Sequence, residues 1–317
     1  MADVGCAGIL VEDIFCGPME QMPPEGLLTA IDEMPVHLGG CAPNVAVSLA
    51  RQAVSVDMSG CLGQDTAADS ITSALQTVGI GCSGLVRTDQ FPTSRTVILL
   101  VKGQDRRFIH MFGANRAYRV VDIDRDWVSQ LKVFYLGGLF AMPSIDCGEL
   151  TELLKFCREQ GVITAVDVVV PEDYDRGLDE IGPVLPYIDW FTPNDDESKL
   201  FTGTADTTEQ MNVFMEHGAS SVIITTGENG AVAGQGDARW RCGVYPTDVV
   251  DPSGSGDAFT AGVLTGVVRG MSMPDILRYG SALGSSCATA VGTTIGVFTA
   301  KQADAYIEQT ELIVEEQ

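Results

Sequence analysis

Short β-branched apolar runs alternate along the chain with segments of helical periodicity. In one of these segments Leu150, Leu153, Leu154 and Cys157 recur at helical spacing, which predicts an amphipathic helix lying on a sheet. The alternation is typical of βαβ units and indicates an α/β fold with a mostly parallel central sheet. The predicted strands are Val4–Val11, Val54–Cys61, Val133–Leu136, Val162–Val169, Trp190–Thr192 and Val222–Thr226. The predicted helices are Ala42–Gln52, Ala67–Val78, Cys147–Gln160, Thr207–His217 and Asp257–Arg269.

Two stretches, Glu25–His37 and Thr93–Phe112, do not follow this alternation and are predicted to be extended segments. In the second, the four residues Lys102-Gly103-Gln104-Asp105 separate two β-rich runs, as the turn of a hairpin does. Strands without crossover helices predict a small antiparallel sheet that stands apart from the main one. We expect this sheet, formed from about residues 15–37 and 93–112, to be a lid.

The charge balance narrows the choice of partners. The 317 residues include 19 Lys and Arg against 43 Asp and Glu, a formal net charge of −24. Nucleic acids and anionic membrane surfaces require a basic face, so neither is an expected partner. A bound nucleotide would have to be held by groups other than bulk positive charge.

The cysteines and the N-terminus indicate the compartment. Nine scattered cysteines without a CxxC pair predict buried thiols in a reducing environment, neither a disulfide framework nor a zinc site. Acidic residues stand where a signal peptide would be basic, and no apolar run has the roughly 18 residues of a membrane helix. We therefore expect a cytoplasmic protein.

The most informative stretch is VVDPSGSGDAFTAG, in which a glycine-rich turn opens a helix. Gly254, Ser255 and Gly256 are small enough for backbone N–H groups to converge on one point, where the helix dipole adds positive potential. The turn therefore predicts an anion site built from neutral groups. Asp257 follows directly and would serve either as a helix cap or as a base that takes a proton from an attacking hydroxyl.

The spelling D-P-S-G-S-G-D-A-F-T-A-G resembles the C-terminal signature of the PfkB, or ribokinase-like, family of carbohydrate kinases. The resemblance implies that Asp257 is the catalytic base and that the amides of Gly254, Ser255 and Gly256 form the anion hole. Pro252 and Ser255 stand where the family commonly has Thr and Ala.

A second stretch, HLGGCAPNVAVSLARQ, resembles the sugar-binding signature of the same family. Gly39 and Gly40 permit close approach of the backbone to a ligand, and Asn44 offers a donor and an acceptor to a hydroxyl. The alternative is a glycine turn before a core helix. Asp13, at the end of the first strand, stands where the family places a carboxylate that accepts hydrogen bonds from sugar hydroxyls, although it could also be an ordinary loop charge.

The nucleotide side carries softer resemblances. TPNDDESKLFTG resembles the N-x-x-E motif, which assigns Asn194 to the nucleotide and Glu197 to Mg²⁺ through water; an acidic helix start is the alternative. TTGENGA resembles the turn that borders the nucleotide and implicates three residues, Thr225, Gly227 and Gly230. Two further residues, Asp251 and Ser253, stand where some members bind a monovalent cation such as K⁺.

The resemblance covers nearly the whole chain and implies one ribokinase-like domain over residues 1–317, a three-layer α/β/α sandwich with a small β-lid. It implies an ATP- and Mg²⁺-dependent sugar kinase, and lids of this kind suggest a homodimer. Arg95 and Asn115 lie on or beside the predicted lid and are candidates for substrate contact. Two alternatives remain open from the sequence, a nucleoside kinase of the same family and a sugar-sensing binding protein without catalysis.

Overall fold

The buried apolar runs form a ten-stranded central sheet in the computed structural model, which describes residues 2–104, 106–171 and 177–317. Its strand order is β14-β13-β12-β11-β10-β9-β8-β1-β4-β5, and every neighbouring pair from β11 to β5 is parallel. The three remaining pairs at the β14 edge are antiparallel. The strands are β1 (Val4–Gly8), β2 (Val11–Met19), β3 (Val36–Gly39), β4 (Val56–Leu62), β5 (Gly81–Arg87), β6 (Arg95–Val101), β7 (Arg107–Met111), β8 (Val133–Leu139), β9 (Ile163–Val168), β10 (Trp190–Phe191), β11 (Ser221–Thr225), β12 (Ala231–Gln235), β13 (Ala238–Cys242) and β14 (Val314–Glu316).

Helices cover both faces of this sheet and give the three predicted layers. One apolar cluster joins the sheet to α1, α2, α8 and α9, and a second joins its other face to α4, α5, α6 and α7. Within the described residues the helices are α1 (Cys41–Arg51), α2 (Thr66–Thr77), α3 (Arg125–Val128), α4 (Cys147–Glu159), α5 (Gly177–Ile181), α6 (Asp195–Thr202), α7 (Thr207–Glu216), α8 (Ser255–Arg269), α9 (Met273–Cys287) and α10 (Ala300–Gln309).

The first predicted strand, Val4–Val11, divides between two sheets. The first of its two parts, β1, ends at Gly8, whose φ of 146° is unfavourable for other residues, and β2 begins at Val11 in a separate sheet. The side chain of Asn115 satisfies the backbone at this break, because its Oδ1 accepts from the N–H of Leu10 and its Nδ2 donates to the carbonyl of Leu10, each at 3.1 Å. The apolar run continues through the break because both parts are buried.

The separate lid sheet has the strand order β3-β2-β6-β7. The predicted hairpin is confirmed, since β6 and β7 pair antiparallel around the turn at 102–106, of which Asp105 lies outside the described residues. The prediction of a purely antiparallel sheet is wrong, because β2 and β6 are parallel.

The prediction that all of Glu25–His37 is extended is also wrong. Strand β3 takes only Val36 and His37 from it, and residues 25–35 belong to no strand. Two leucines in that segment, Leu27 and Leu28, are 68% and 92% exposed, so no layer of the structure buries their side chains.

The α8–α9 pair depends on close backbone contact that the apolar pattern does not reveal, and the sequence did not predict α9. A Cβ on Gly262 of α8 would lie 2.6 Å from the Cα of Gly280 in α9. Small residues at the crossing allow the two helices to approach closely and hold the amino end of α8 at the edge of the sheet.

The state of the cysteines and the hydropathy of the helices bear on two predictions made from the sequence. All nine cysteines are free thiols. Among the described residues, no helix combines the length and the apolar character needed to cross a bilayer.

Replacing Asn115 by Ala should destabilise the protein by about 2 to 4 kcal/mol, because the buried N–H and carbonyl of Leu10 would both lose their partner. Urea denaturation of the variant and the wild type measures this difference. Asn229→Ala, at an exposed turn position, is the matched control and should change the free energy of unfolding little. Equal unfolding midpoints for the two variants would contradict the structural role of Asn115.

Candidate active site

A cavity of about 180 Å³ lies at the carboxyl ends of the parallel strands. Its wall includes residues from the end of β9, from just after β10, from the end of β11 and from the amino ends of α1, α6 and α8. In open parallel sheets this edge is where ligands bind, since strand ends and helix N-termini converge there. The wall is formed in large part by Cys41, Asp167, Thr192, Asn194, Glu197, Thr225, Gly254, Gly256 and Asp257.

Asp257 stands in the first turn of α8 and is held by a residue of α1. The Nδ2 of Asn44 donates to its Oδ2 at 2.8 Å, and the Oδ1 of Asn44 accepts from the Oγ1 of Thr293 at 2.8 Å. Burial raises the pKa of Asp257 to about 6, while hydrogen bonds from Asn44 and Cys41 act in the opposite direction. The carboxylate is therefore ionised at neutral pH and remains a moderately strong base.

Asp13 lies nearby on β2, with its carboxylate packed on the backbone of β3. A Cβ at Gly39 would lie 1.8 Å from the Oδ2 of Asp13, so only glycine leaves room for this carboxylate. Burial raises the pKa of Asp13 to about 6, against a hydrogen bond from Thr96, and the negative charge of Asp13 also raises the pKa of Asp257. The two carboxylates are therefore close enough for electrostatic repulsion between them.

Gly40 has a structural role beside its predicted close approach to a ligand. It precedes α1 with a φ of 98°, and a Cβ there would lie 2.4 Å from the carbonyl oxygen of Ile9. Gly40 therefore allows α1 to start against the β1–β2 break and so places Asn44, which is one turn further on, opposite Asp257.

The glycine-rich turn positions its amides unequally. Gly254 has a left-handed φ of 75°, and a Cβ there would also lie 2.3 Å from the carbonyl oxygen of Thr293. Gly254 and Gly256 line the cavity, whereas the N–H of Ser255 donates to the carbonyl of Pro252 at 3.2 Å. Among the described residues no side chain caps α8, so the positive end of its dipole faces the cavity.

Asp167, at the end of β9, is a site residue that the sequence did not predict. It is 9% exposed and accepts a hydrogen bond from the hydroxyl of Tyr135 at 3.2 Å. Burial and the nearby charges of Glu197 and Asp257 raise the pKa of Asp167 well above its ordinary value. A single acid inside the apolar run ITAVDVVV was the available signal.

Three carboxylates that repel one another across a cavity fit a divalent cation. The charges of Glu197 and Asp257 raise the pKa of Asp167, and burial together with the charge of Asp257 brings the pKa of Glu197 to about 7. Thr192, on the same wall, has a buried Oγ1 without a hydrogen-bond partner among the described residues. Oxygen donors of this kind suit Mg²⁺, which keeps several of its waters.

The N-x-x-E motif forms a reciprocal helix cap. The Oδ1 of Asn194 accepts from the N–H of Glu197 at 2.8 Å, and the Oε2 of Glu197 accepts from the N–H of Asn194 at 3.0 Å. Thr225 pairs with Asn194 across a β-bridge, which brings both residues to the cavity wall. The cap accounts for the motif locally and fixes the Glu197 carboxylate at the cavity.

The two predicted nucleotide glycines lie in the turn after β11. Gly227 has a φ of 56°, and a Cβ there would meet open space, whereas a Cβ on Gly230 would lie 2.0 Å from the carbonyl oxygen of Cys242. Gly230 therefore serves the packing of the β12–β13 hairpin, and Gly227 is the more accessible of the two.

Arg95 and Asn115 lie outside this cavity wall. The Nε of Arg95 donates to the Oε2 of Glu12 at 2.7 Å, so this guanidinium forms an ion pair within the lid sheet. The amide of Asn115 bonds to the backbone of Leu10. The structure thus gives both residues structural partners.

Asp251 and Ser253 lie in the loop before α8. The Oδ1 of Asp251 accepts from the N–H and the Oγ of Ser253 at 3.0 and 2.7 Å, and its Oδ2 accepts from the N–H of Gly292 at 3.0 Å. Arg106, from the lid turn, also donates to Asp251 at 3.1 Å and to the hydroxyl of Ser253. This lid contact was not predicted from the sequence.

Solved structures of the same architecture identify the fold as ribokinase-like. The structure superposes on Arabidopsis thaliana ribokinase complexed with ribose and ATP with a TM-score of 0.84 at 23% identity, covering 96% of this chain and 98% of that one. It superposes on Thermotoga maritima ribokinase with a TM-score of 0.82 at 22% identity, covering 97% and 100% of the two chains.

The sequence comparison defines the family. The profile of the pfkB family carbohydrate kinases matches residues 1–300, and the chain belongs to this family. It is 27% identical over 248 residues to the fructoselysine 6-kinase of Escherichia coli K12, over 77% of this chain and 87% of that enzyme. It is 25% identical over 279 residues to the 2-dehydro-3-deoxygluconokinase of Bacillus subtilis, over 85% and 86%. The protein is a carbohydrate kinase, which transfers a phosphoryl group to an alcohol.

Gly39→Ala tests the predicted role of Asp13 as an acceptor for sugar hydroxyls. The new methyl group would overlap the carboxylate of Asp13 and displace it, so sugar binding should weaken. Loss of one charge-assisted hydrogen bond predicts a KM about tenfold higher or more. Gly243→Ala is the matched control, since its Cβ would meet open space at an ordinary φ. Steady-state kinetics decides the matter, and a wild-type KM in Gly39→Ala would refute the packing argument.

Proposed function

We propose that this protein transfers the γ-phosphoryl group of ATP to a hydroxyl group of a sugar, with Asp257 as the base. The observation that carries the proposal is the position of Asp257, a half-buried carboxylate beside the uncapped amino end of α8 in a cavity at the sheet edge. Phosphoryl transfer depends on placing an acceptor hydroxyl in line with a phosphate whose charge is stabilised, and both groups can be accommodated here.

The environment of Asp257 suits proton abstraction. A pKa of about 6, set mainly by burial, leaves the carboxylate ionised at neutral pH but more basic than an exposed aspartate. Asn44 fixes its orientation through the 2.8 Å hydrogen bond, and Thr293 fixes Asn44 in turn. A substrate hydroxyl placed against the carboxylate of Asp257 would therefore meet an oriented acceptor.

The anion hole is proposed to be the Gly254–Gly256 segment at the start of α8. The amides of Gly254 and Gly256 line the cavity, and the 15-residue helix directs its positive end there. We assign Ser255 a supporting role, since its N–H and its Oγ both bond to the carbonyl of Pro252 and thereby hold the turn in shape.

The sugar is proposed to bind between the lid and α1, against Asp13, Gly39, Gly40 and Asn44. Asp13 supplies a buried acceptor for hydroxyl groups, and the two glycines keep the lid strand and α1 close to it. Arg95 and Asn115 then contribute by holding the lid and the β1–β2 break in place.

The nucleotide is proposed to lie along Asn194, Thr225 and Gly227, with Gly230 shaping the turn, and Mg²⁺ near Glu197 and Asp167. The ion would neutralise phosphate charge, and the two carboxylates would hold it largely through water. A further Escherichia coli structure of this fold contains ATP and Mg²⁺. The residues of this chain would bind and orient the nucleotide with backbone groups and would need no basic side chain.

We further propose that the lid excludes water and mediates a homodimer in the cytoplasm. The lid carries large exposed apolar side chains, among them Leu28 at 92%, Phe108 at 58% and Ile109 at 62%. Surfaces of this kind favour self-association, and nine free thiols favour a reducing compartment.

An ATP-turnover screen with Mg²⁺ over pentoses, hexoses, keto-sugar acids, fructoselysine and nucleosides should identify sugars as the acceptors. Asp257→Asn should lower kcat on the accepted sugar by about 10²- to 10⁴-fold, the usual contribution of a general base. Asp196→Asn, at an exposed position in the first turn of α6, is the control and should keep near-normal turnover.

Three outcomes of this screen contradict the proposal in different ways. Preference for nucleosides would indicate a nucleoside kinase, and sugar binding without ATP consumption would indicate a sugar-sensing protein. Near-normal transfer by Asp257→Asn would remove Asp257 from the role of base while leaving the kinase activity intact.

The rate should fall at acidic pH as Asp257 is protonated, with an acidic limb in kcat/KM near pH 6. Asn44→Ala removes a hydrogen bond that stabilises the ionised form, so the pKa should rise and the limb should move to higher pH by about one unit. Thr293→Val, which keeps the Asn44–Asp257 bond, should shift the limb less. A limb that does not move in Asn44→Ala would mean that another group controls it.

A further inference from the structure

A lid residue reaches the loop that leads into the proposed anion hole. Arg106 belongs to the turn between β6 and β7, and its Nη1 donates to the Oδ1 of Asp251 at 3.1 Å and also to the Oγ of Ser253. The two partners lie 145 and 147 residues further along the chain. The Arg106 side chain is 22% exposed and the Asp251 side chain 6%, so the ion pair is largely shielded from water.

The carboxylate of Asp251 accepts three hydrogen bonds from donors that do not belong to the lid. Ser253 donates to it through both N–H and Oγ, and Gly292 donates through its N–H. Burial opposes ionisation, but these donors and the charge of Arg106 together hold the pKa of Asp251 below its ordinary value. The site therefore contains a fixed negative charge that requires one positive charge as a partner.

The resemblance to the family assigned Asp251 and Ser253 to a monovalent cation in some members, and the structure does not fit that assignment. Two oxygen atoms that a cation at these residues could use, Asp251 Oδ1 and Ser253 Oγ, both accept from the guanidinium of Arg106. A K⁺ ion at the same carboxylate would lie close to the guanidinium, and the repulsion between the two positive charges would weaken its binding.

The loop that Arg106 contacts, residues 251–254, leads directly into the proposed anion hole. Ser253 precedes Gly254, whose backbone packs on the carbonyl of Thr293, while Gly292 binds Asp251. Movement of the Asp251 carboxylate would therefore shift the segment from which the cavity-lining amides arise.

We propose that Arg106 takes the place of a monovalent cation in this protein, as a positive charge tethered to the lid that positions the 251–254 loop for catalysis. The proposal rests on the proposed anion hole at Gly254–Gly256. Because Arg106 is carried by the β6–β7 turn, the charge arrives only when the lid lies over the main domain. The enzyme would then need no free K⁺ and would complete its anion hole on lid closure.

The test compares the full-length wild type with Arg106→Ala in K⁺ buffer and in choline buffer of equal ionic strength. Wild-type kcat and melting temperature should be the same in both. Arg106→Ala should lose about tenfold or more in kcat in choline, with a smaller change in the KM for sugar, because the uncompensated Asp251 charge disturbs the loop. K⁺ should restore much of that loss and raise the melting temperature of the variant.

Two more variants separate charge from packing. Arg106→Lys keeps a positive charge on the turn and should remain independent of K⁺. Arg107→Ala is the matched control, since this neighbouring arginine is exposed and donates to Gln104, and it should behave as the wild type in both buffers.

Either of two results would overturn the proposal. The first is a gain in wild-type melting temperature or kcat with K⁺, which needs no variant and decides the matter even where Arg106→Ala does not fold. The second is a folded Arg106→Ala that shows no response to K⁺ in either measurement. The melting temperatures require no turnover, so they test Arg106 separately from the assignment of Asp257 as the base.

Discussion

The hydrogen bond between Asn44 and Asp257 joins residues 213 positions apart, and the rest of the site depends on it. It connects the amino ends of α1 and α8, the two helices that start at glycine-rich turns, and it orients the buried carboxylate. Burial raises the pKa of Asp257 from 3.8 to about 6. The ionised carboxylate therefore lowers the free energy of unfolding at every pH above the pKa that Asp257 has in the unfolded chain, and the full cost is reached above about pH 6. That cost, at most about 3 kcal/mol and less with partial exposure, is offset by the packed layers around it.

Residues 292 and 293 connect parts of the site that are distant from one another in sequence. The hydroxyl of Thr293 donates to Asn44, and its carbonyl packs against the backbone of Gly254. The N–H of Gly292 donates to Asp251. One short loop therefore contacts the residue that orients the proposed base, the turn that forms the proposed anion hole and the carboxylate that Arg106 engages. Glycine is required at position 254 for two reasons: a Cβ would overlap this loop, and the φ is unfavourable for other residues.

The sequence predicted the parts of the molecule that depend on local pattern. Periodicity identified the parallel strands of the central sheet except β5, and the helices α1, α2, α4, α7 and α8, to within a few residues; the motifs led to Asp13, Asn44, Glu197 and Asp257. It could not predict features that arise from contact between distant segments. The parallel β2–β6 pairing depends on how the lid folds back, the role of Asn115 depends on the break at Leu10, and Arg106 looks like an ordinary turn residue until Asp251 is placed beside it.

The net charge of −24 and the binding of an anionic nucleotide are compatible because the cavity uses groups that a count of basic residues omits. No Lys or Arg of the described chain is part of the cavity wall, which contains Asp167, Glu197 and Asp257 instead. Negative carboxylates on one side require a cation between them and the phosphates, and the helix amides supply the donors on the other side. Arg106 neutralises Asp251 in the loop that precedes the glycine-rich turn. Positive charge is therefore placed where it stabilises the protein's own loop, and in the proposed complex the space facing the ligand is left to N–H groups and Mg²⁺.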